Sequence, residues 1–316
     1  MKNAGVNDVG GVSPALVSIC VCTYRRPHVL ARLLDRLTEV EREAEGLAEI
    51  AIVIVDDDIA RSAESVAAQA AHRFTRGLRY HCSASGNISL ARNAALDLGS
   101  ETSDWLALTD DDCMPDARWL NELITVQRRY GADLVTGSCT DVLAPAAPSW
   151  LRHEPFLEPA TDAIDGTETE MGYIKNALVA VEVIRRHELR FDPAFGGTGG
   201  EDAMFFYTAH ERGVHHRHAA RALVSEEVPL ERCSLRYQLR RRFWYGNTEA
   251  LTSLTHGRTS RHRMAARGAK LAVRGVLRPI ARCARGRTPQ LRFSASMVLQ
   301  GLGRTLGATG ITIDHR

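Results

Sequence analysis

Two long apolar runs place the strongest constraint on the fold of this chain. They read ALVSICVCTY at residues 15–24 and IAIVIVDDD at residues 50–58, and β-branched side chains dominate both. Apolar and polar positions do not alternate along them, so each run predicts a strand that is buried on both faces. Strands of this kind belong to parallel sheets that helices cover on both sides.

Helical patterns separate these strands. Between the two runs, PHVLARLLDRLTEV carries leucines at helical spacing from Leu30 to Leu37, and Pro27 stands in the first turn. The alternation predicts a doubly wound α/β sheet. The further elements of this pattern are a helix at 62–74, a strand at 78–82, a helix at 87–98 and a strand at 104–109.

Polar clusters follow three of the predicted strands, at residues 23–26, 56–58 and 110–112. In such sheets ligands bind beyond the carboxyl ends of the strands. Any one cluster could be an ordinary solvated loop, but three at corresponding places favour a binding site. The consecutive acids Asp110, Asp111 and Asp112 repel one another, so either a solvated turn or a cation site must compensate their charge.

These acids suit a nucleotide-sugar ligand. A carboxylate accepts hydrogen bonds from a nucleobase or a ribose, and neighbouring carboxylates hold Mg²⁺ or Mn²⁺, which in turn binds phosphates. The chain has no G-x-x-x-x-G-K-[ST] loop, and TYRRP stands where a dinucleotide fold has G-x-G-x-x-G. ATPase and NAD-dehydrogenase functions are therefore disfavoured.

A second acidic stretch, FGGTGGEDAMFFYTAHERG, spans residues 195–213. Its glycines permit a close backbone approach or positive φ angles, and Glu201 and Asp202 come directly before a predicted helix. Acids at a helix start also have a simpler explanation, because they stabilise the helix dipole by roughly 0.3–1 kcal/mol.

The C-terminal segment differs in charge from the rest of the chain. Residues 257–316 contain 13 Lys or Arg and one acid, Asp314, a formal charge of +12 that leaves −10 for residues 1–256. The segment predicts a basic amphipathic helix interrupted by Pro279. Binding to an anionic membrane and packing against the acidic part of the chain are both open, whereas nucleic-acid binding lacks a supporting motif. Basic residues from Arg267 to Arg285 recur every three or four positions, with Val273, Val276, Leu277 and Ile280 on the other side.

Seven scattered cysteines without C-x-x-C spacing indicate neither a disulfide framework nor a zinc site. The N-terminal residues lack a signal-peptide core, and no stretch approaches the roughly 20 apolar residues of a membrane span. We expect a cytoplasmic protein, with the inner face of the cell membrane as an alternative location.

Several phrases together resemble family 2 glycosyltransferases. SICVCTYRRP, IVIVDDD, NISLARNAALD, TDDDCMP and GGEDAMFF occur in the family's order and spacing over about residues 15–250. NISLARNA, GYIKNALV and RRRFWYGNT resemble the bacterial exopolysaccharide glucosyltransferases of the succinoglycan type. The resemblance implies the GT-A fold, a Rossmann-like and mostly parallel sheet flanked by helices, here with a C-terminal helical segment.

The resemblance also implies roles for individual residues. Asp202, with Glu201 beside it, would act as the general base of a direct, inverting displacement. Asp112, with Asp110, would ligate Mn²⁺ or Mg²⁺; relatives carry a further histidine where this chain has Ser225. The implied donor-binding residues are Thr23, Tyr24, Arg25, Asp57, Asn87, Arg92, Asp110 and Asp111.

Asn176, Arg241 and Trp244 are predicted to contact the acceptor or the diphosphate as a lid, although residues 234–248 are also consistent with an ordinary amphipathic helix. The predicted organisation is a flexible N-terminus at 1–14, a nucleotide-sugar-binding subdomain at 15–142, an acceptor-binding subdomain at 143–256 and a basic helical tail at 257–316.

The predicted function is an inverting, metal-dependent transfer of a sugar from a nucleotide-sugar, with UDP as the expected nucleotide. The acceptor would be a hydroxyl of a saccharide, a lipid-linked saccharide or a glycosylated metabolite. A sugar-1-phosphate nucleotidyltransferase is one alternative, but the Gly-rich N-terminal loop of those enzymes is missing. A non-catalytic nucleotide-sugar-binding protein is the other. No nucleic-acid partner is expected, and the oligomeric state is left open.

Overall fold

The two apolar runs lie side by side as parallel strands in the computed structural model, which describes residues 13–157 and 164–313. Their register pairs Ala15 with Ala48 and Thr23 with Asp56, so both strands end at the same edge of the sheet. The strand that precedes the triple aspartate joins the other side of the first strand and pairs Cys22 with Asp110. Most of the predicted flexible N-terminus, residues 1–12, lies outside the described residues.

In the part of the chain that the structure describes, eight strands form one sheet in the order β3-β2-β1-β4-β7-β6-β8-β5. The first four are parallel, as predicted, whereas β7 runs antiparallel to β4 and β6, and β5 runs antiparallel to β8. The strands are β1 (Ala15–Thr23), β2 (Ala48–Asp56), β3 (Leu78–Cys82), β4 (Trp105–Asp110), β5 (Cys113–Pro115), β6 (Leu134–Leu143), β7 (Ala177–Ala180) and β8 (His216–Val228).

The helices cover both faces of this sheet and continue into a C-terminal bundle. They are α1 (Pro27–Glu43), α2 (Glu64–Ala70), α3 (Ile88–Ser100), α4 (Trp119–Tyr130), α5 (Ser149–His153), α6 (Val181–Arg186), α7 (Glu201–Glu211), α8 (Leu235–Thr255), α9 (Arg261–Cys283) and α10 (Leu291–Gly307).

The absence of alternation in β1 and β2 has a direct structural cause. Val17, Ile19 and Val21 join a core that α1 and α4 cover, while Cys20 and Cys22 join the core under α3 on the opposite face. Each strand is therefore buried on both sides, and a polar residue on either face would be desolvated.

Helices α8, α9 and α10 pack together as the C-terminal bundle. The predicted boundary at 256/257 thus falls inside this bundle, between α8 and α9. The prediction that Pro279 interrupts the helix is wrong, because α9 continues through Pro279 to Cys283. No helix within residues 13–157 and 164–313 is long and apolar enough to cross a bilayer.

Candidate active site

A cleft of about 550 Å³ opens where β1, β2 and β4 end. It brings together residues from all three of the polar clusters that the sequence places after strands. Arg25 and Asn87, predicted to bind the donor, do not line it. The predicted residues that do are Thr23, Tyr24, Asp57, Arg92, Asp110, Asp111 and Asp112.

Arg26 neutralises part of the triple aspartate. Its guanidinium donates to the Asp111 carboxylate at 3.2 Å and to the Asp112 carboxylate at 2.9 Å, and Thr23 donates to Asp111 at 2.7 Å. Burial raises the pKa of Asp111 to about 6; the Thr23 hydrogen bond lowers it and the Asp112 charge raises it. Burial, and then the charge of Glu226, raises the pKa of Asp112. The cleft therefore holds more negative charge than its arginines offset.

Asp57 holds the loop that forms one wall of the cleft. Its Oδ1 accepts hydrogen bonds from the Ser83 hydroxyl at 2.7 Å and from the backbone N–H groups of Ser85 and Gly86 at 2.6 and 3.2 Å. Asp57 was predicted to bind the nucleobase of the donor, and one of its two carboxylate oxygens holds this loop in place.

Two predicted donor residues have structural roles instead. Asn87 caps α3 through its side-chain oxygen and donates to the Pro193 carbonyl at 3.0 Å. Arg25 adopts a positive φ of 56°, pairs with Asp58 at 3.2 Å and covers the Tyr24 ring. Neither Asn87 nor Arg25 lines the cleft, and their predicted donor contacts stay predictions.

Arg92 connects the two acidic stretches. From α3 it donates to Asp110 at 3.1 Å and to Glu201 at 2.8 Å, and it also pairs with Asp202. Its side chain is 11 % exposed, so these contacts are made largely out of water. The acids after β4 and at the start of α7 therefore lie around one guanidinium, which joins them into a single site.

A glycine sets the direction of the acids on α7. Gly200 caps this helix at φ 98°, a backbone conformation that residues with a side chain rarely adopt. A Cβ at this position would also lie 2.6 Å from a methyl carbon of Thr248 on α8. Both constraints require glycine at position 200. The turn at this glycine directs Glu201 and Asp202 towards Arg92.

The environment of Asp202 suits a proton acceptor. Burial raises its pKa above the usual aspartate range, Arg92 opposes this rise, and the charges of Glu201 and Asp110 add to it. Neither acid of α7 lines the cleft itself, but both contact Arg92, which does; the Asp202 side chain is 37 % exposed and that of Glu201 is 12 % exposed. Asp202 is thus the acid of the pair that an incoming hydroxyl can reach.

Comparison with known proteins agrees with this arrangement. The family model described as glycosyl transferase family 2 matches residues 18–187, which include most of β1 and the triple aspartate. This chain belongs to glycosyl transferase family 2. It is an enzyme of the glycosyltransferase class.

Two relatives extend the comparison beyond the matched segment. This glycosyltransferase is 34 % identical over 259 residues to the succinoglycan biosynthesis protein ExoM of Rhizobium meliloti (strain 1021), covering 80 % of this chain and 81 % of ExoM. Its fold is similar to that of S. aureus TarS residues 1–349. The TarS structure in complex with UDP has a TM-score of 0.53 and 14 % sequence identity, and the match covers 88 % of this chain and 90 % of TarS 1–349. The structure in complex with UDP-GlcNAc has a TM-score of 0.54 and 13 % identity, and the match covers 89 % of this chain and 90 % of TarS 1–349. The GT-A fold is thereby confirmed.

The acidic donor set of this glycosyltransferase fits a hard divalent cation. Carboxylate oxygens are the ligands that Mg²⁺ and Mn²⁺ prefer. Burial first, and neighbouring acids after it, raise the pKa values of Asp111 and Asp112, and a bound cation would oppose both effects. Within the described ranges, however, no three His, Cys, Asp or Glu side chains already converge as a metal site. Ser225, at the position where the resemblance implied a histidine, donates to the Met114 carbonyl at 3.2 Å.

Sequence reasoning selected the wrong member of the pair Lys175–Asn176. Lys175 extends towards the acids and pairs with Glu226 at 2.5 Å; burial alone would lower its pKa, but this ion pair raises it. Its positive charge also acts on Asp202. Arg26 was missed in the same way. The sequence contained a signal for both Lys175 and Arg26, because a basic residue in a site with many acids is expected to pair with them.

Asn176 is a core residue, which contradicts its predicted contact with an acceptor. It has no exposed surface, accepts from the Trp119 indole N–H at 2.7 Å and donates to the carbonyls of Ser138 and Ala222 at 2.8 Å. These bonds connect α4, β6 and β8 where the sheet changes from parallel to mixed.

We expect Asn176→Ala to lower the free energy of unfolding by about 2–4 kcal/mol, since it leaves three buried polar groups without partners. Chemical denaturation would measure the change. Asn121→Ala is the matched control, because Asn121 makes one hydrogen bond, to the Glu43 carbonyl, and should cost about 1 kcal/mol. Equal costs for both variants would contradict the structural role of Asn176.

The predicted lid residues on α8 do not line the cleft. Trp244 is buried in the C-terminal bundle, and the Arg240 guanidinium covers its ring at 4.5 Å. Arg241 donates to the Tyr245 hydroxyl at 2.6 Å. Burial of Trp244 disfavours the predicted contact with a sugar, which stays a prediction.

Proposed function

We propose that this glycosyltransferase is an inverting, divalent-metal-dependent enzyme that moves a sugar from a UDP-sugar to a hydroxyl of a saccharide-type acceptor. The acceptor class includes lipid-linked saccharides and glycosylated metabolites. The observation that carries the proposal is the position of Arg92, which holds Asp202 beside Asp110 at the edge of the cleft. A donor site and a base for the acceptor are thereby adjacent.

The cleft suits a nucleotide on its β1–β2 side. Thr23 and Tyr24 supply a hydroxyl and an aromatic ring there, and Asp57 supplies a carboxylate. The TarS structures, named for their complexes with UDP and UDP-GlcNAc, and the succinoglycan function in the name of ExoM both favour a nucleotide-sugar donor.

The triple aspartate suits the diphosphate end of the donor. Asp112 and Asp110, whose side chains are 27 % and 31 % exposed, would hold the metal ion, with Glu226 nearby. A bound Mg²⁺ or Mn²⁺ stabilises the negative charge that develops on a leaving nucleoside diphosphate. Arg26 already bridges Asp111 and Asp112 and adds a second positive charge to the same place.

A single displacement agrees with the groups around the cleft. Asp202 accepts the proton of the acceptor hydroxyl, the hydroxyl oxygen bonds to the anomeric carbon, and the bond to the diphosphate oxygen breaks. Arg92 orients Asp202 and favours its ionised form, whereas the neighbouring Glu201 charge opposes ionisation. A covalent intermediate on the cleft thiol is disfavoured, because burial raises the pKa of Cys22 to about 12.

We expect Asp112→Ala to remove the metal dependence of UDP binding. Titration calorimetry of UDP with Mn²⁺ and with EDTA should show tighter binding with Mn²⁺ in the unaltered protein, by about tenfold or more, and no such difference in the variant. Asp35→Ala is the control, because Asp35 is 70 % exposed on α1. UDP binding indifferent to metal in every protein would contradict a metal site at the triple aspartate.

Product analysis separates the alternatives. Incubation with UDP-glucose and other UDP-sugars plus a saccharide acceptor should release UDP and invert the anomeric configuration. Pyrophosphate formed from UTP and a sugar 1-phosphate would instead indicate a nucleotidyltransferase. Donor binding with no turnover over a broad acceptor panel would indicate a binding protein.

A further inference from the structure

Helix α9 packs on the bundle in an unusual way. Its contact with α10 is built from glycines and backbone: a Cβ at Gly268 would lie 2.6 Å from the Gly301 carbonyl oxygen, and one at Gly275 would lie 2.8 Å from the Ser294 carbonyl oxygen. Beyond α10, α9 makes few contacts with the rest of the chain. The backbones approach closely because the large side chains of α9 are elsewhere.

Those large side chains face solvent. Val273, Val276, Leu277 and Ile280 follow one another at spacings of three, one and three residues, which places them on one side of the helix, and they are 54–67 % exposed. We call these four residues the aliphatic stripe. The arrangement, with small residues inside and large aliphatic residues outside, is the reverse of a helix in a water-soluble core and is typical of helices that face lipid.

A row of positive charge runs beside the stripe. Arg263, Lys270, Arg267 and Arg274 recur at helical spacing and are exposed, and none forms an ion pair with a carboxylate within the described ranges. No Asp or Glu occurs anywhere from Gly257 to Ile313. The basic row therefore does not pack against the acidic part of the chain. Other arginines of the C-terminal segment do, since Arg258, Arg292 and Arg304 pair with Glu170, Glu154 and Glu249.

We propose that α9 docks this protein onto an anionic lipid bilayer, with the aliphatic stripe inserted at the level of the headgroups and the basic row paired with lipid phosphates. Both features are needed for an interfacial helix, and they share one exposed surface. A second copy of this chain is disfavoured as the occupant, because it would bring two basic rows together. A nucleic acid would leave the stripe in water.

This proposal stands apart from the proposed sugar transfer, since it depends on no residue of the cleft. Vesicle binding can therefore fail while UDP binding and turnover persist, and the reverse also holds. If both hold, the enzyme works at a membrane surface, which suits an acceptor that is itself anchored in lipid.

Flotation of the full chain with vesicles tests the proposal. We expect binding to vesicles of phosphatidylglycerol mixed with phosphatidylcholine, little binding to phosphatidylcholine alone, and weakening as salt is raised. The variant Arg267→Gln, Lys270→Gln, Arg274→Gln should lower partitioning on the order of 100-fold, about fivefold for each charge. Leu277→Ser with Ile280→Ser should lower it about tenfold or more at unchanged charge.

The matched control removes the same charge elsewhere. Arg42→Gln, Arg129→Gln, Arg212→Gln alters three exposed arginines outside the bundle and should float almost as the unaltered protein does. An equal loss in this control, or equal partitioning onto both kinds of vesicle, would overturn the proposal. So would an aliphatic-stripe variant that floats normally but sediments at half the mass of the unaltered protein, since the stripe would then join two copies. Circular dichroism and UDP binding verify that each variant is folded.

Discussion

Asp202→Asn is expected to lower turnover by about 10²–10⁴-fold while UDP binding changes little. The amide keeps the shape of the side chain at the start of α7 but cannot accept the proton of the acceptor hydroxyl. Release of UDP in the presence of acceptor measures the rate, and calorimetry measures the binding. The position of Asp202, partly exposed beside a buried Arg92, is the physical basis of this expectation.

The pH dependence of the unaltered enzyme should report the same group. Asp202 must be ionised to act as a base, and burial raises its pKa, so activity should fall as pH drops through that raised pKa rather than near the usual aspartate value. The residual activity of Asp202→Asn should lack this inflection.

Asp97→Asn serves as the control for chemistry, because Asp97 lies on α3 outside the cleft and pairs with Arg190 at the surface. It should retain both the rate and the pH profile. Full activity in Asp202→Asn would reject Asp202 as the base, and Glu201→Gln would then be the variant to examine.

Arg92→Met is expected to lower the free energy of unfolding by about 3–5 kcal/mol at neutral pH. Removing this guanidinium, which is only 11 % exposed, leaves Asp110, Glu201 and Asp202 close together without the positive charge that contacts all three. The loss should shrink in acid, because protonation neutralises the carboxylates left behind. Urea denaturation at several pH values measures it.

Arg79→Met is the control that separates the effect of burial from the loss of an ion pair. Arg79 pairs with Glu101 at 2.5 Å, but both side chains are about half exposed, so its removal should cost no more than about 1 kcal/mol. Arg92→Lys, which keeps the charge but cannot reach three carboxylates at once, should fall between the two. If Arg92→Met lowered the free energy of unfolding as little as Arg79→Met does, the stabilising role of Arg92 between the three acids would be contradicted.

Much of the fold could be predicted because its signals are local. The both-face burial of β1 and β2 appears as uninterrupted apolar runs, and the leucines of α1 repeat with the helical period. The mixed half of the sheet could not be predicted in this way. Strand β7 has four residues, and its antiparallel pairing with β4 depends on a path that short apolar segments do not specify.

The site, too, has a part that the sequence predicts and a part that it does not. Acids at the ends of β2 and β4 predict a cleft because the carboxyl ends of parallel strands meet at one edge. Lys175 and Asn176 show the limit: both lie in a short 3-10 turn before β7, and the backbone of that turn decides which side chain enters the core and which reaches Glu226.

The sequence by itself determined the α/β alternation, the acids at the strand ends and the charge contrast between the C-terminal segment and the rest, since all three follow from residue type and spacing. Only the tertiary structure decided that Arg92 joins Asp110 to Asp202, which lies 110 positions from Arg92 in the sequence. It also decided which side of α9 remains exposed. Both sides of α9 carry apolar residues, so periodicity could not choose between them. The choice comes from packing, because glycine lets the α9 and α10 backbones approach and leaves the larger side chains on the outside.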